Sequence, residues 1–169
     1  MSGGGARPVS FGNATFTPSA DMSQLTMTVT VYNIDINGQQ TPNDTNDNLV
    51  AAHIHGGAAA GSGAGVVWGF FGTPHNDNNP DQLVLTPFPN GVGGTFSSIW
   101  DAPEGNNTTL AAQLNNLNNG LTYINFHTAQ NGGVKSGGQI LPVPEPSVIS
   151  LLGVAAVAAA VLRGKWPRG

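Results

Sequence analysis

The strict alternation in residues 25–32 constrains this chain more than any other feature. Leu25, Met27, Val29 and Val31 are apolar, and Thr26, Thr28, Thr30 and Tyr32 separate them. A period of two puts the apolar set on one face of an extended strand and the hydroxyls on the other. Such a strand needs a sheet with one covered face, so the pattern predicts a half-buried antiparallel sheet. Shorter strand-like runs follow at 49–55, 66–71, 82–85, 94–100, 121–128 and 137–141, with a weaker one at 9–16. Twenty-four Gly and twelve Pro supply the turns between them. The spacing of Phe96 and Ile99 breaks alternation and suggests a bulge. One helical pattern stands out between Asn107 and Asn119, where Leu110, Leu114 and Leu117 recur at i, i+4 and i+7 before Gly120. The leucine stripe is expected to cover the open end of a sandwich; docking a partner is its other use. The expected fold is all-β: an antiparallel Greek-key β-sandwich over residues 9–142 with one short helix. Residues 1–8 are Gly-rich and expected to be disordered, and 143–169 form a separate segment.

Charge narrows the function. Charged residues make up only 8% of the chain, so neutral Asn, Thr, Ser and Gly must keep it soluble. All nine acids precede Val148, with only Arg7 and Lys135 opposing them. An acidic body disfavours nucleic acid, which needs a basic footprint. Cysteine is absent, which removes disulfides, thiolate metal sites and cysteine nucleophiles. Any transition-metal site must use imidazole and oxygen. Asp44 and Asp47 lie in a polar turn region with Asn37-Gly38, but the spacing lacks the Gly and closing Glu of an EF-hand loop. No Ser-His-Asp spacing, paired-carboxylate motif or phosphate loop stands out, and no catalytic residue is assigned.

The four histidines are unevenly placed. His53 and His55 flank Ile54 in one strand-like run, so both imidazoles project from one face and Ile54 from the other. Gly56-Gly57 ends that run and is expected to leave space beside the imidazoles. His127 lies in a second strand-like run, and His75 in an Asn- and Pro-rich loop with Asp77 and Asp81 nearby. Neutral imidazole suits copper and zinc, with copper at the top of the divalent affinity order. Two readings stay open: a metal site built on His53, His55 and His127, with His75 as a further candidate ligand, or cleft histidines that pin loops through backbone hydrogen bonds.

Beyond residue 142 the chain changes character. Pro144-Glu145-Pro146 is a stiff breaker. An apolar run over 148–162 follows, and then a basic end with Arg163, Lys165 and Arg168. As a helix the run would span roughly 22 Å, short of the ~30 Å hydrocarbon core. The order of breaker, short apolar helix and basic tail resembles the PEP-CTERM sorting signal of Gram-negative bacteria that make exopolysaccharide. That resemblance implies recognition of Pro144, Glu145 and Pro146 by an exosortase in the inner membrane, followed by transfer to the cell surface. Residues 1–8 contain no apolar stretch of the kind a secretory signal peptide carries.

The body resembles the CHRD domain, named from chordin. The matching residues are Ala52-His53-Ile54-His55-Gly56, Gly65-Val66-Val67, Gly94-Thr95-Phe96, the leucine helix, the run from Gly120 to Thr128, and Gly138-Gln139-Ile140. Where that pattern ends in Pro-Gly-Gly-Glu-Ile-Arg-Gly, this chain has Asn131 to Gly138 without the Glu and the Arg. A further likeness, to copper-zinc superoxide dismutase, implies His53, His55 and His127 as copper ligands and His75 as a bridging ligand. That enzyme's substrate-guiding Arg has no counterpart here, and its disulfide cannot form. The expectation is an exported, surface-sorted, non-enzymatic CHRD-domain protein that binds copper or zinc through histidines. It engages exosortase and membrane through its tail, with an exopolysaccharide or protein as partner and no nucleic acid. The alternatives are a metal-free structural or adhesive matrix module and a dismutase-like oxidoreductase.

Overall fold

The computed structural model describes residues 8–78, 83–132 and 136–143. The segment bearing Pro144, Glu145 and Pro146 and the apolar helix expected over 148–162 lie outside the described residues, as do residues 1–7 and Asp81. Among the described residues no helix is long and apolar enough to cross a membrane.

Eight strands form two antiparallel four-stranded sheets. They are β1 (Phe11–Pro18), β2 (Gln24–Tyr32), β3 (Leu49–Gly56), β4 (Val66–Phe71), β5 (Val84–Pro87), β6 (Gly93–Asp101), β7 (Thr122–Thr128) and β8 (Ser136–Ile140), with helix α1 (Leu110–Asn118) between β6 and β7. One sheet runs β1-β2-β6-β5 and the other β4-β3-β7-β8. The chain changes sheets after every hairpin, which places the non-consecutive pairs β2–β6 and β3–β7 at the two sheet centres.

The alternation in β2 behaves as its period requires. Leu25, Met27, Val29 and Val31 are buried, while Thr26, Thr28 and Tyr32 face solvent. The opposing sheet contributes Ala52, Ile54, Trp68, Phe70, Ile124 and Phe126 to the same core. Rings link the layers: Trp68 stacks on Trp100 at 5.4 Å, and Phe70, Phe96 and Phe126 meet one another within 6.4 Å. Offset and edge-on packing of this kind adds to the area that the rings bury. Thr109 caps α1 by accepting a hydrogen bond from Ala112 N. Leu110 and Leu117 are buried and Leu114 packs beside them, so the stripe belongs to the core rather than to a partner.

Two local expectations are corrected. β6 has no bulge: Phe96, Ser98 and Trp100 all face inward, and the register with β2 runs unbroken from Gln24–Asp101 to Tyr32–Gly93. The apparent break arose because the inward position between two aromatics is a serine. Ser98 Oγ donates to Asp77 Oδ2 in a buried hydrogen bond, so the polar pair replaces an apolar contact. The register shifts lie instead in β3, twice against β4 and once against β7. Gly56 also differs from expectation. A side chain there would meet Gln113 and Val67, so that glycine makes room for α1 and β4 rather than for imidazoles.

The polar loop after β2 is held by one carboxylate. Asp35 is fully buried and accepts hydrogen bonds from the backbone N–H groups of Asn37, Gly38, Gln39 and Thr41 and from the Thr41 hydroxyl. These bonds outweigh burial and hold its pKa below the usual carboxylate value.

Removing the Ser98 donor isolates a buried carboxylate whose other oxygen, Oδ1, already has no hydrogen bond. Ser98→Ala is expected to destabilise the fold by about 1–3 kcal/mol. Ser97→Ala, on the outer face of the same strand, should stay within about 0.5 kcal/mol. Urea unfolding of both variants checks this; equal stability would remove the pair from the fold's support.

Candidate metal centre

The pleat of β3 sorts its residues. Ala52 and Ile54 enter the core, and His53 and His55 leave the opposite face of the sheet. β7 lies beside β3 with Ala51 opposite His127, His53 opposite Asn125 and His55 opposite Tyr123. All three imidazoles therefore share the outer face of this sheet. Ring centroids lie 5.1 Å apart for His53 and His127, 6.0 Å for His53 and His55, and 6.3 Å for His55 and His127. One nitrogen from each ring lies within 4.8 Å of the others.

Although this is an outer face, His53 and His55 are buried and His127 is half-buried. His53 is 5% exposed and His55 9%. Two loops are packed over it. In the loop between β3 and β4, Ala64 O accepts the His55 Nδ1 hydrogen bond at 2.9 Å, and Ala64 N donates to the Tyr123 hydroxyl at 3.0 Å. Tyr123 also stacks on His55, with rings 4.8 Å apart and 6° from parallel. The loop after β4 lies over Gly69, whose backbone bonds to Asn76 and Asp77. A side chain at residue 69 would run into Pro74 and would meet the His53 ring at 3.1 Å. Glycine there lets the loop close down beside His53.

The cluster is under-bonded. Both nitrogens of His53, both of His127 and Nε2 of His55 are buried without a hydrogen bond. Unpaired buried polar atoms are few in native structures, and each costs desolvation energy. Here five of the six ring nitrogens lack partners, and one from each ring meets the others within 4.8 Å. The Ala64 carbonyl makes His55 Nδ1 the protonated nitrogen, which leaves the Nε2 lone pair free. An outer carbonyl that fixes a tautomer in this way typically accompanies a histidine ligand. Three neutral imidazoles are a donor set suited to copper or zinc, so the residues present fit such an ion.

Burial also sets the protonation state. His53 is lowered from 6.5 to about 4, mainly by desolvation and then by the neighbouring charges of His127 and His55. The Thr73 backbone opposes this weakly, without hydrogen-bond geometry. His55 is lowered too, chiefly by burial, with the Ala64 carbonyl working against the shift. The His53 and His55 rings are thus neutral near pH 7, the form in which imidazole binds metal.

His75 stands apart. It is exposed and does not belong to the group that His53, His55 and His127 form. Its neighbour Asp77 points into the core at Ser98 rather than toward a second ion. Sequence reasoning missed Tyr123, Ala64 and Gly69. The spacing of Tyr123 and His127, four apart in one strand, was the available sign that they share a face.

Two sheets enclosing an aromatic core, with three clustered imidazoles on one outer face, two of them buried under loops, define a small β-sandwich module with a histidine cluster. The chain belongs to the CHRD domain family, whose pattern it matches over residues 2–140. Comparison with curated proteins and with solved structures gave no match.

The lowered His53 pKa fixes the sign of a pH effect in the metal-free protein. Below about 6.5 the unfolded chain binds a proton at this site that the folded chain refuses until about 4. Stability is therefore complete above the unfolded value and lost as pH falls through that window, by roughly 2–3 kcal/mol. Urea unfolding from neutral pH down to about pH 4 should show this loss, and His53→Phe should flatten it. An unchanged acid limb in that variant would mean that the stability loss comes from other groups.

Proposed function

We propose that the domain is a non-enzymatic, extracellular-type module that holds one copper or zinc ion through His53, His55 and His127. The observation that carries this reading is that one nitrogen from each of three imidazoles meets the others within 4.8 Å, while five of the six ring nitrogens are buried without a hydrogen bond. A cluster that served only to pin loops would satisfy those nitrogens with backbone groups, as His55 Nδ1 does. The strand orders support an immunoglobulin-like Greek-key sandwich, the architecture also found in copper-zinc superoxide dismutase. Bound there, the ion would cross-link β3 to β7. The chain's own groups do the rest: Ala64 and Tyr123 orient His55, and the two loops limit solvent access. His75 takes no part in this site.

The sequence order of Pro144-Glu145-Pro146, an apolar run and basic residues supports export and sorting to the surface of a Gram-negative cell. In that reading the tail meets exosortase and membrane, and the acidic sandwich reaches an exopolysaccharide or protein partner outside. A metal-free structural or adhesive module is the competing reading.

Competition titration of the purified protein with copper(II) and zinc(II) decides between them. We expect one ion per chain. Binding should weaken at least about tenfold, or 1.4 kcal/mol, in His55→Ala and in His127→Ala, and stay unchanged in His75→Ala. At a hundredfold excess over Kd, the metal should add about 2.7 kcal/mol to folding stability. Affinity no tighter than about millimolar would sink the metal reading and leave structural histidines.

A further inference from the structure

Each sheet has two edge strands, and three of the four are guarded. β4 has its outer edge occupied: Val67 O accepts from Asn106 N, Val66 O from Asn106 Nδ2, and Gly69 O from Asn76 N and Asp77 N. β5 has four residues and ends in Pro87, which has no N–H to offer. β8 has five residues. Short strands, proline and covering loops are the ordinary ways in which a sheet avoids pairing with another chain.

β1 is the longest of the four edge strands. It is eight residues long, lies at the end of its sheet, and contains no charged residue, with its one proline at the last position. Among the described residues nothing pairs with its outer side. Its first residue, Phe11, is 55% exposed, with one ring face stacked on Tyr32 at 4.7 Å.

The strand is also complementary to itself. Antiparallel pairing keeps core-facing residues on the core side only in alternate registers. In the register centred on Ala14, that residue meets the partner's Ala14. Phe16 meets the partner's Gly12, Asn13 the partner's Thr15, and Phe11 the partner's Thr17. The largest core-side residue of β1 thus falls opposite its glycine, the pairing in which an aromatic ring covers an exposed edge glycine. Phe16 and Ala14 are only partly buried in a single chain, so a neighbouring strand would complete their cover. No charge opposes the approach at any position of the pair.

We propose that β1 is a homotypic docking edge. Two copies of the chain pair their β1 strands antiparallel about a two-fold axis at Ala14 and join two sheets into one continuous sheet. The contact is isologous, so it closes at the dimer. The histidine cluster lies in the other sheet of each copy, so the contact leaves it uncovered.

Two pairs of full-length variants test this. Asn13 and Thr15 are exposed on the outer face, and the register sets each against the other across the axis. N13K/T15K places like charges opposite one another twice, and N13K/T15E places opposite charges there. Sedimentation velocity over a range of concentrations should show a reversible dimer for the native chain and for N13K/T15E. The dimer of N13K/T15K should be weaker by about tenfold or more. Because the chain has no cysteine, single cysteines report the register. Paired Cα atoms lie about 4.5–5.5 Å apart, within disulfide reach. Ala14→Cys should therefore oxidise to a covalent dimer. Thr17→Cys should not, because it sits six residues from its own copy. A native chain that stays monomeric throughout, equal dimer strength in the two double variants, or cross-linking at residue 17 as readily as at 14 would each overturn the proposal.

Discussion

The pleat of β3 is the constraint on which the rest of the molecule depends. Ile54 must enter the aromatic core between Trp68, Phe70 and Phe126, and its burial contributes about 1.5–3 kcal/mol. Once it does, His53 and His55 have no choice of direction. A slip of one residue would put two imidazoles into the core and Ile54 outside, so the core enforces the register and the register makes the cluster. β7 obeys the same rule with Ile124 and Phe126 inside and His127 outside. The site is therefore a by-product of hydrophobic packing on the other side of two strands. This gives the three imidazoles a rigid mounting that loop-borne side chains would lack.

Buried polar side chains in this protein differ in how fully they are bonded. Asp35 is buried with its oxygens in hydrogen bonds from four N–H groups and a hydroxyl, and so organises a long turn between β2 and β3. Glu104 is similar: it accepts from the Trp68 indole, Asn78 N and Asp101 N, and it ties the edge of one sheet to the end of the other. These carboxylates are structural, and the donors around them leave little for an ion to displace. The histidine cluster is the opposite case. His53 and His55 are buried and His127 partly so, yet most of the cluster's nitrogens have no partner. Asp35 and Glu104 thus hold the fold through satisfied oxygens, whereas the histidine cluster leaves five of its six ring nitrogens without a hydrogen bond.

Low charge shapes the surface as well as the solubility. The outer face of the β1-β2-β6-β5 sheet is covered by Thr15, Thr17, Thr26, Thr28 and their neighbours rather than by lysines and glutamates. Hydroxyls keep such a face wet without the repulsion that charges would give to an approaching chain.

By itself the sequence determined the strands and their faces, because a period of two in β2, β3 and β7 leaves one way to bury the apolar set. It also placed His53 beside His55, the leucine helix on the core, and the family to which the chain belongs. Only the tertiary structure decided the rest. Which strand lies beside β3 is a long-range choice, and it brings His127 into the cluster while leaving His75 exposed in its loop. The serine between Phe96 and Trp100 looked like a bulge, because its partner Asp77 comes from a loop twenty-one residues earlier. Tyr123, Ala64 and Gly69 gain their roles from two loops folding over the sheet, and loops of Gly, Ala and Asn carry no periodicity from which that closure could be read.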